Sequence, residues 1–342
     1  MDVMPRVSII ILNWNGWEDT IECLESVYQI TYPNYDVIVV DNGSENESVE
    51  KIKEYASGNL PTQSSFFKYS WESKPIDVLE YSREEFESEI RDERYNLSAS
   101  SNKRLILIKN GKNFGFTEGN NIAMRYALKT LTPDYILLLN NDTVVDKNFV
   151  GGLVLVANQS NQTGVVGPVV FHYDQPAQLQ ESAGRICMWT GRRSFIHSTD
   201  SYNSTDFAIN VDFVSGVCFL VHTEVVKKVG MFDPEYFAYV EDVDWCYRIC
   251  QKGYHVIYTN KAKIWHKGSS STGGGYNRTV MYYIFRNNLL FMRKNGKLRH
   301  LPSYIVVSGL YFAIRLLKTI FDQPQNVVII LKGIVSGLRS KT

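Results

Sequence analysis

The stretch Tyr135-Ile-Leu-Leu-Leu-Asn-Asn-Asp-Thr143 is apolar as far as Leu139 and then changes, without transition, to two amides, a carboxylate and a hydroxyl. An apolar run from Ile136 to Leu139 with no polar alternation fits a strand covered on both faces, as in a parallel sheet flanked by helices. Such a strand leaves Asn140, Asn141 and Asp142 at its carboxyl end, the edge at which open α/β sheets bind ligands. Oxygen donors there suit a divalent cation carrying a diphosphate, or simply an Asn/Asp-rich turn.

The same punctuation recurs along the chain. Val7-Ser-Ile-Ile-Ile-Leu12 is β-rich and runs into Asn13-Trp-Asn-Gly16; Trp17 to Gln29 has helical spacing, with Trp17, Ile21, Leu24 and Val27 on one stripe; and Val37 to Val40 is a second strand that ends in Asp41-Asn-Gly-Ser44. Strand, helix and strand in this order make a parallel, right-handed βαβ unit. Asp41 can accept hydrogen bonds from a ribose or base, or cap a helix over Glu45 to Tyr55. The pattern dissolves from about 59 to 103, which reads as an insertion with an acidic helix over Glu80 to Glu93. It returns with the strand Leu105 to Ile108 and the segment Asn113-Phe-Gly-Phe-Thr-Glu-Gly-Asn-Asn121 before a helix from Ala123 to Lys129. That segment is a loop in which backbone N–H groups can approach a ligand. It has no Lys-Ser/Thr, and no G-x-G-x-x-G occurs, which speaks against a P-loop hydrolase and a dehydrogenase.

Downstream, Phe149 to Ala157 reads as helix and Val165 to Phe171 as strand, and Tyr173 to Asp206, with Trp189, Arg192 and Arg193, as an irregular cover or acceptor border. Phe213 to Val221 is a strand interrupted by Ser215-Gly216, and Thr223 to Gly230 a short helix. Glu241, Asp242 and Asp244 then crowd a helix start, a placement the helix dipole favours and one that can raise a carboxyl pKa into the range of a general base. After a strand at Tyr254 to Tyr258 comes His266, beside the Gly/Ser run from Lys267 to Gly275. It is either a structural histidine or a metal ligand on a mobile segment.

The formal net charge of zero hides an asymmetry: residues 276–342 carry 11 Lys and Arg against one acid, Asp322. This basic tail is also apolar, so an anionic membrane surface is preferred over nucleic acid as its partner. Its runs, Tyr282 to Met292, Tyr304 to Leu317 and Val327 to Leu331, are broken by basic residues and read as interfacial helices rather than a span of about 20 apolar residues. Packing on the body or a homo-oligomer contact is the alternative use. Five cysteines without repeated spacing argue against a disulfide framework, and Cys246 and Cys250 read as buried thiols. No secretory signal is visible, so a cytoplasmic protein is expected and its Asn-x-Ser/Thr triplets are not expected to be glycosylated.

Six motifs in one order, Val7 to Asn13, Val39-Val-Asp-Asn-Gly-Ser44, Asn113 to Asn121, Leu139-Asn-Asn-Asp142, Tyr239-Val-Glu-Asp-Val-Asp-Trp-Cys-Tyr-Arg248 and Trp265-His266, resemble family 2 glycosyltransferases of the rhamnosyltransferase-like branch. The resemblance covers residues 5–275 apart from the insertion. It implies an α/β GT-A fold, Rossmann-like, with a mostly parallel mixed sheet flanked by helices. The expected organisation is a catalytic domain over 1–275 with a membrane-associating helical extension over 276–342. It further implies a nucleoside diphosphate sugar donor, dTDP- or UDP-linked and with rhamnose among the candidates. The acceptor would be a glycan or, as the basic, apolar tail suggests, a polyprenyl-linked glycan, in cell-surface polysaccharide or glycoprotein glycan assembly on the inner face of the membrane. Asp41 would bind the base, and Asn13, Asn113, Gly115, Asn120, Asn121 and Asn140 would line the donor. Asp142 and His266 would ligate Mg2+ or Mn2+, with Asn140 replacing the first acid of the family's Asp-x-Asp motif. Asp242 would be the catalytic base of an inverting displacement with Glu241 beside it, and Arg248 and Arg286 would contact phosphate. A sugar nucleotidyltransferase and a non-catalytic glycan-binding protein are the alternatives; the first would need a Gly-rich, Arg-bearing loop where Asn13 to Gly16 stands.

Overall fold

The computed structural model describes residues 4–87, 103–180, 182–196, 207–268 and 278–340. Its strands and helices alternate from the start: β1 Val7–Asn13, α1 Trp17–Val27, β2 Tyr35–Asp41, α2 Ser48–Ser57, β3 Asp77–Ser82, α3 Arg83–Glu87, β4 Arg104–Lys109, α4 Gly115–Tyr126, β5 Tyr135–Asn140, β6 Thr143–Val145 and α5 Phe149–Ala157. Then follow β7 Thr163–His172, β8 Ala183–Cys187, β9 Arg192–Phe195, β10 Ala208–Val211, β11 Phe213–Val214, β12 Cys218–His222, α6 Thr223–Val229, α7 Glu241–Gln251 and β13 His255–His266. Three helices close the chain: α8 Arg278–Asn295, α9 Leu301–Asp322 and α10 Val327–Arg339.

Among the described residues the main sheet runs β10-β13-β7-β12-β5-β1-β2-β4-β3, with β6 on β13, and a small sheet β11-β8-β9 stands apart. The half from β3 to β5 is parallel; β12 is antiparallel to both β5 and β7. Successive side chains of a strand face opposite sides, so Ile10 enters one core and Ile9 and Ile11 the other, all fully buried. Each such side chain contributes roughly 1.5–3 kcal/mol of burial, which is why the strands are apolar throughout until their ends.

Register then gathers those ends. Asn13 pairs with Asp41, Leu12 with Asn140, and Asp41 with Lys109, so the polar residues that stop each strand share one sheet edge. The chain turns back after Asp142 into β6, which pairs antiparallel with the end of β13 and sets His266 opposite Thr143. Two residues 124 apart in sequence, Asp142 and His266, therefore meet at that edge.

Three expectations need correcting. Part of the supposed insertion is sheet: Asp77–Ser82 adds a parallel edge strand to β4, and only Tyr81 in it is buried, so it lacks the apolar signature of its neighbours. The acidic helix expected over Glu80 to Glu93 is the short α3 as far as Glu87, and the rest of that segment lies outside the described residues. The segment is tied to the body by Lys74, whose Nζ lies 2.8 Å from Glu25 Oε2 with both side chains buried, and Tyr55, Gln29 and the Ser70 N–H also donate to Glu25. Losing one member of such a pair costs about 3–5 kcal/mol, because the other stays charged and buried.

The second correction concerns α4, which begins at Gly115, so Asn120 and Asn121 lie inside the helix rather than in a loop. Gly115 has φ +80°, and a Cβ there would lie 2.5 Å from the Phe237 ring, so no other residue fits. The third concerns the tail. Its first helix, α8, is part of the core through Leu290, Phe291 and Met292. Residues Leu298–Phe321 form one helical stretch of 24 residues, long and apolar enough by length and composition to cross a membrane, and almost none of it is buried. Arg299, Arg315 and Lys318 within it do not interrupt the helix, although basic residues break up the apolar runs that the sequence displays.

Candidate active site

Three strand ends build the floor. Asp41 is buried; its Oδ1 accepts from Asn13 Nδ2 at 2.8 Å and from Ser44 Oγ, and its Oδ2 accepts from the Ser44 N–H at 3.0 Å. Thr20 Oγ1 lies 2.8 Å from Asn13 Oδ1 and receives Asn141 Nδ2 at 3.1 Å. A relay of buried polar groups thus joins β5, α1, β1 and β2, and each member is partnered, as burial requires. Asn140 pairs through its backbone with Val217, and its half-exposed side-chain amide has no hydrogen bond among the described residues.

Asn42, next to Asp41, escaped the sequence reading. Its amide donates to Asn113 Oδ1 and the Gly115 carbonyl, and its carbonyl accepts from Asn110 Nδ2 and the Phe114 N–H. It fastens the 110–115 loop to the end of β2. Asn113 in turn accepts from the Gly115 N–H at 2.8 Å. Asn120 donates to the Phe116 carbonyl, and Asn121 exchanges both its amide groups with the Phe232 backbone. The only sequence signal for Asn42 was its place in Asp41-Asn-Gly-Ser44.

At the other side of Asn141, Asp142 Oδ1 and His266 Nε2 are 3.2 Å apart, and both residues are buried. His266 Nδ1 lies 2.7 Å from Gln180 Oε1. An amide oxygen only accepts, so Nδ1 carries the hydrogen and the lone pair of a neutral ring is on Nε2, facing the carboxylate. A carboxylate and an imidazole this close call for positive charge between them, a proton on the ring or a cation. A carboxylate oxygen and an imidazole nitrogen fit Mg2+ or Mn2+, and among the described residues no third His, Cys, Asp or Glu joins them. A cation here would complete its coordination from a ligand. The backbone also ties the two residues: the Lys267 N–H donates to the Asp142 carbonyl at 2.9 Å, and Lys267 Nζ sits 2.6 Å from both Asp19 and Glu22 of α1. The Gly/Ser run beyond Gly268, read above as a mobile segment, lies outside the described residues.

The carboxylates at the start of α7 are aimed by a contorted turn. Phe237, Tyr239 and Val240 have φ of 60°, 68° and 74°, each costing roughly 1–2 kcal/mol for a non-glycine residue. Asn287 of α8, fully buried, holds this turn by donating Nδ2 to the carbonyls of Tyr236, Ala238 and Tyr239. The first tail helix is thereby part of the site, a role its basic, apolar composition does not announce.

Asp242 accepts from the Gly216 N–H at 3.0 Å and the Val243 N–H at 2.8 Å, so the Ser215-Gly216 break between β11 and β12 supplies one of its donors. Burial raises the Asp242 pKa, and these N–H groups and Arg193 oppose the rise. Glu241 is more extreme: buried, with Oε2 lacking a hydrogen-bond partner among the described residues, it is pushed well above the carboxylate range by burial and then by the Asp242 charge. Of the two, Glu241 is pushed further toward the protonated form, while the N–H donors on Asp242 favour its ionised form.

Arg248 is held elsewhere, with Nε on Asp244 at 2.7 Å and its terminal nitrogens on the carbonyls of Val229 and Met231. Arg286 is bound to the Glu235 carbonyl and to Asn287 Oδ1. Trp189 and Arg192 to Arg193 belong to the β8–β9 hairpin, which docks on the tail through Arg193 to Asn288 and Ser303 to the Trp189 carbonyl. All five cysteines are free, and Cys246 and Cys250 lie one turn apart on α7.

The sequence profile described as "Glycosyltransferase like family 2" matches residues 97–279, and that described as "Glycosyl transferase family 2" matches residues 8–72. The chain belongs to glycosyltransferase family 2. Within the family it resembles rhamnosyltransferases. It is 27% identical over 253 residues to the dTDP-rhamnosyl transferase RfbF of Shigella flexneri, covering 70% of this chain and 80% of that one. It is also 27% identical over 154 residues to the N-acetylglucosaminyl-diphospho-decaprenol L-rhamnosyltransferase of Mycobacterium tuberculosis, covering 41% of this chain and 49% of that one. In fold it is similar to the Pyrobaculum calidifontis mannosyltransferase PcManGT, solved with GDP-Man and Mn2+, with a TM-score of 0.56, 14% identity, and 100% and 89% of the two chains covered. The family 2 glycosyltransferase has the GT-A fold, and its chemistry is sugar transfer in glycan assembly.

The protonation of Glu241 is open to direct measurement. An infrared carboxylic-acid band at neutral pH should vanish in Glu241→Gln. Because the folded pKa is raised, Glu241 contributes stability that is present below the unfolded carboxyl's pKa and lost as pH rises toward the folded value. Over that window wild-type stability should fall by up to about 1.4 kcal/mol per pH unit relative to Glu241→Gln. Denaturation curves with parallel pH dependence would show that Glu241 is ionised in the folded protein.

Proposed function

We propose that this glycosyltransferase moves a hexose, with inversion, from a dTDP- or UDP-linked donor to a hydroxyl of a lipid-linked glycan, and that the reaction uses Mg2+ or Mn2+. The observation that carries the reading is the Asp142–His266 pair, 3.2 Å apart at the edge where Asn13, Asp41 and Asn140 also end their strands. The name of RfbF supports a dTDP-rhamnose donor, and that of the mycobacterial relative a polyprenyl diphosphate acceptor. PcManGT, crystallised with Mn2+, supports the cation.

Asp41 would receive the nucleoside and the 110–115 loop would flank the donor. Asp142 and His266 would hold the cation, which when bound neutralises charge on the departing diphosphate. Asp242, ionised and oriented by two backbone N–H groups, takes the proton of the acceptor hydroxyl as that oxygen attacks the anomeric carbon. Attack from the face opposite the leaving group inverts the configuration. Glu241, protonated beside it, adds no second negative charge and shapes the turn.

The acceptor side faces the tail. Helices α9 and α10 expose Ile305, Val306, Leu310, Ile314, Leu317 and Phe321, with Val328, Leu331 and Leu338 on the second helix, interleaved with Arg315, Lys318, Lys332 and Arg339. Apolar side chains among cations suit a helix lying in the surface of an anionic leaflet. Ser303 and Ser308, hydrogen-bonded to the Trp189 and Thr190 carbonyls, keep the first half of α9 along the β8–β9 hairpin, which favours lying on the membrane over crossing it. The enzyme would then work peripherally on the cytoplasmic face, where polyprenyl-linked acceptors are presented.

Release of nucleoside diphosphate from a panel of donors with Mn2+ and a lipid-linked acceptor tests the chemistry. Asp242→Asn should lose at least about 100-fold in transfer while binding nucleotide normally; Asp142→Ala should abolish metal-stimulated transfer and Asn140→Ala only weaken it. Normal turnover by Asp242→Asn would remove it as the base. Separately, co-sedimentation with phosphatidylserine-containing vesicles should be salt-sensitive and should drop in an Ile314→Glu, Phe321→Glu variant. Equal recovery in the supernatant with and without vesicles would rule out the membrane role.

A further inference from the structure

The geometry points to Gln180 as the positioning residue that fixes the tautomer and aim of His266, and so sets the affinity of the Asp142–His266 pair for a divalent cation. This rests on the metal reading proposed above.

Gln180 is placed by main chain, not by chance contact. After β7 the chain turns and runs back antiparallel: the His172 N–H donates to the Gln178 carbonyl at 2.9 Å, the Gln180 N–H donates to the Val170 carbonyl at 2.8 Å, and Phe171 bridges Leu179. On its other edge the same stretch of β7 pairs with β13, Phe171 with Trp265 and His172 with His266. Strand β7 therefore carries the amide of Gln180 on one side and the imidazole of His266 on the other, in a register that backbone bonds enforce. The contact between them is 2.7 Å, from Nδ1 to Oε1. A Cβ on Gly268 would lie 3.5 Å from Gln180 Nε2, so the far end of the amide rests against the backbone just past the imidazole.

The chemical consequence is specific. A neutral imidazole places its one hydrogen on either nitrogen. Bonded to an oxygen that cannot donate, Nδ1 keeps the hydrogen, and the Nε2 lone pair faces Asp142 Oδ1. In the other tautomer a hydrogen on Nε2 would face Asp142 Oδ1, and that nitrogen would have no lone pair to offer a cation. Among the described residues no further His, Cys, Asp or Glu joins Asp142 and His266, so the loss of either is felt strongly. Outer partners of ligating histidines typically matter by about 10–100-fold in metal affinity.

The test uses the full chain and Mn2+ with dTDP or UDP as the probe. Long-range 15N–1H NMR of the histidine rings, without metal, reports the tautomer; the EPR signal of free Mn2+ reports affinity. Wild type should show His266 with hydrogen on Nδ1. Gln180→Leu, which keeps the bulk but removes the acceptor, should mix the tautomers and weaken Mn2+ by about 10–100-fold, with metal-free nucleotide binding unchanged. Gln180→Glu, which restores an acceptor, should restore both the tautomer and the affinity. A single Nδ1–H tautomer and unaltered Mn2+ affinity in Gln180→Leu would overturn the assignment. A His266→Ala protein that binds Mn2+ with nucleotide as wild type does would instead refute the metal reading, and Gln180's role with it, whatever the tautomer.

Discussion

The antiparallel pairing of β6 with the end of β13 is the constraint on which the site depends. Without it Asp142 would end one strand and His266 another, with the intervening strands between them. With it, Thr143 faces His266, the Lys267 N–H reaches the Asp142 carbonyl, and the carboxylate and imidazole are 3.2 Å apart. The pairing is short, three residues in β6, and is supported from both sides. Val144 and Val145 are buried, and Lys267 is anchored by Asp19 and Glu22. Sheet geometry thus supplies to this edge a juxtaposition that loops alone would hold far less rigidly.

The second half of the site is built by opposite means. Where Asp142 sits in the two-residue turn between β5 and β6 and His266 ends β13, Glu241 and Asp242 follow a turn with three non-glycine residues at positive φ. Such a turn persists only when its surroundings over-determine it. Asn287 does much of this, satisfying three of its carbonyls from a helix that composition would assign to the tail. Phe237 stacked on Tyr283, with ring centroids 5.1 Å apart, adds to the same contact. The first helix of the tail and the turn before Glu241 and Asp242 are therefore one packing unit. A division of the chain at residue 275 would cut through it.

The legible part of this architecture was the part in which burial dictates residue type. β1, β2, β4 and β5 are buried on both faces and had to be apolar until they ended, so both the strands and their polar ends were readable. β3 was not, because an edge strand with one buried side chain has no need of that pattern. Within Asn113 to Asn121 the asparagines differ in use: Asn120 and Asn121 bond backbone within and beside α4, while Asn42 holds the loop. Amide side chains serve caps, clamps and ligands with the same groups, and only neighbours distinguish these uses. Arg248 and Arg286 illustrate the same point, since guanidinium groups that suit phosphate also suit the carbonyls of Val229, Met231 and Glu235, which they bond here. Asn287 and Gln180 carried no sequence signal at all, because their partners lie tens of residues away.

The central claim is that Asp142 and His266 together hold the cation that carries the donor diphosphate. Electron–nuclear double resonance on Mn2+ bound with nucleotide to protein labelled with 15N-histidine tests this most directly. One directly coordinated 15N coupling is expected, lost in His266→Ala, with the Mn2+ complex itself lost in Asp142→Ala. A tightly bound Mn2+–nucleotide complex with no histidine nitrogen coupled to the metal would contradict it.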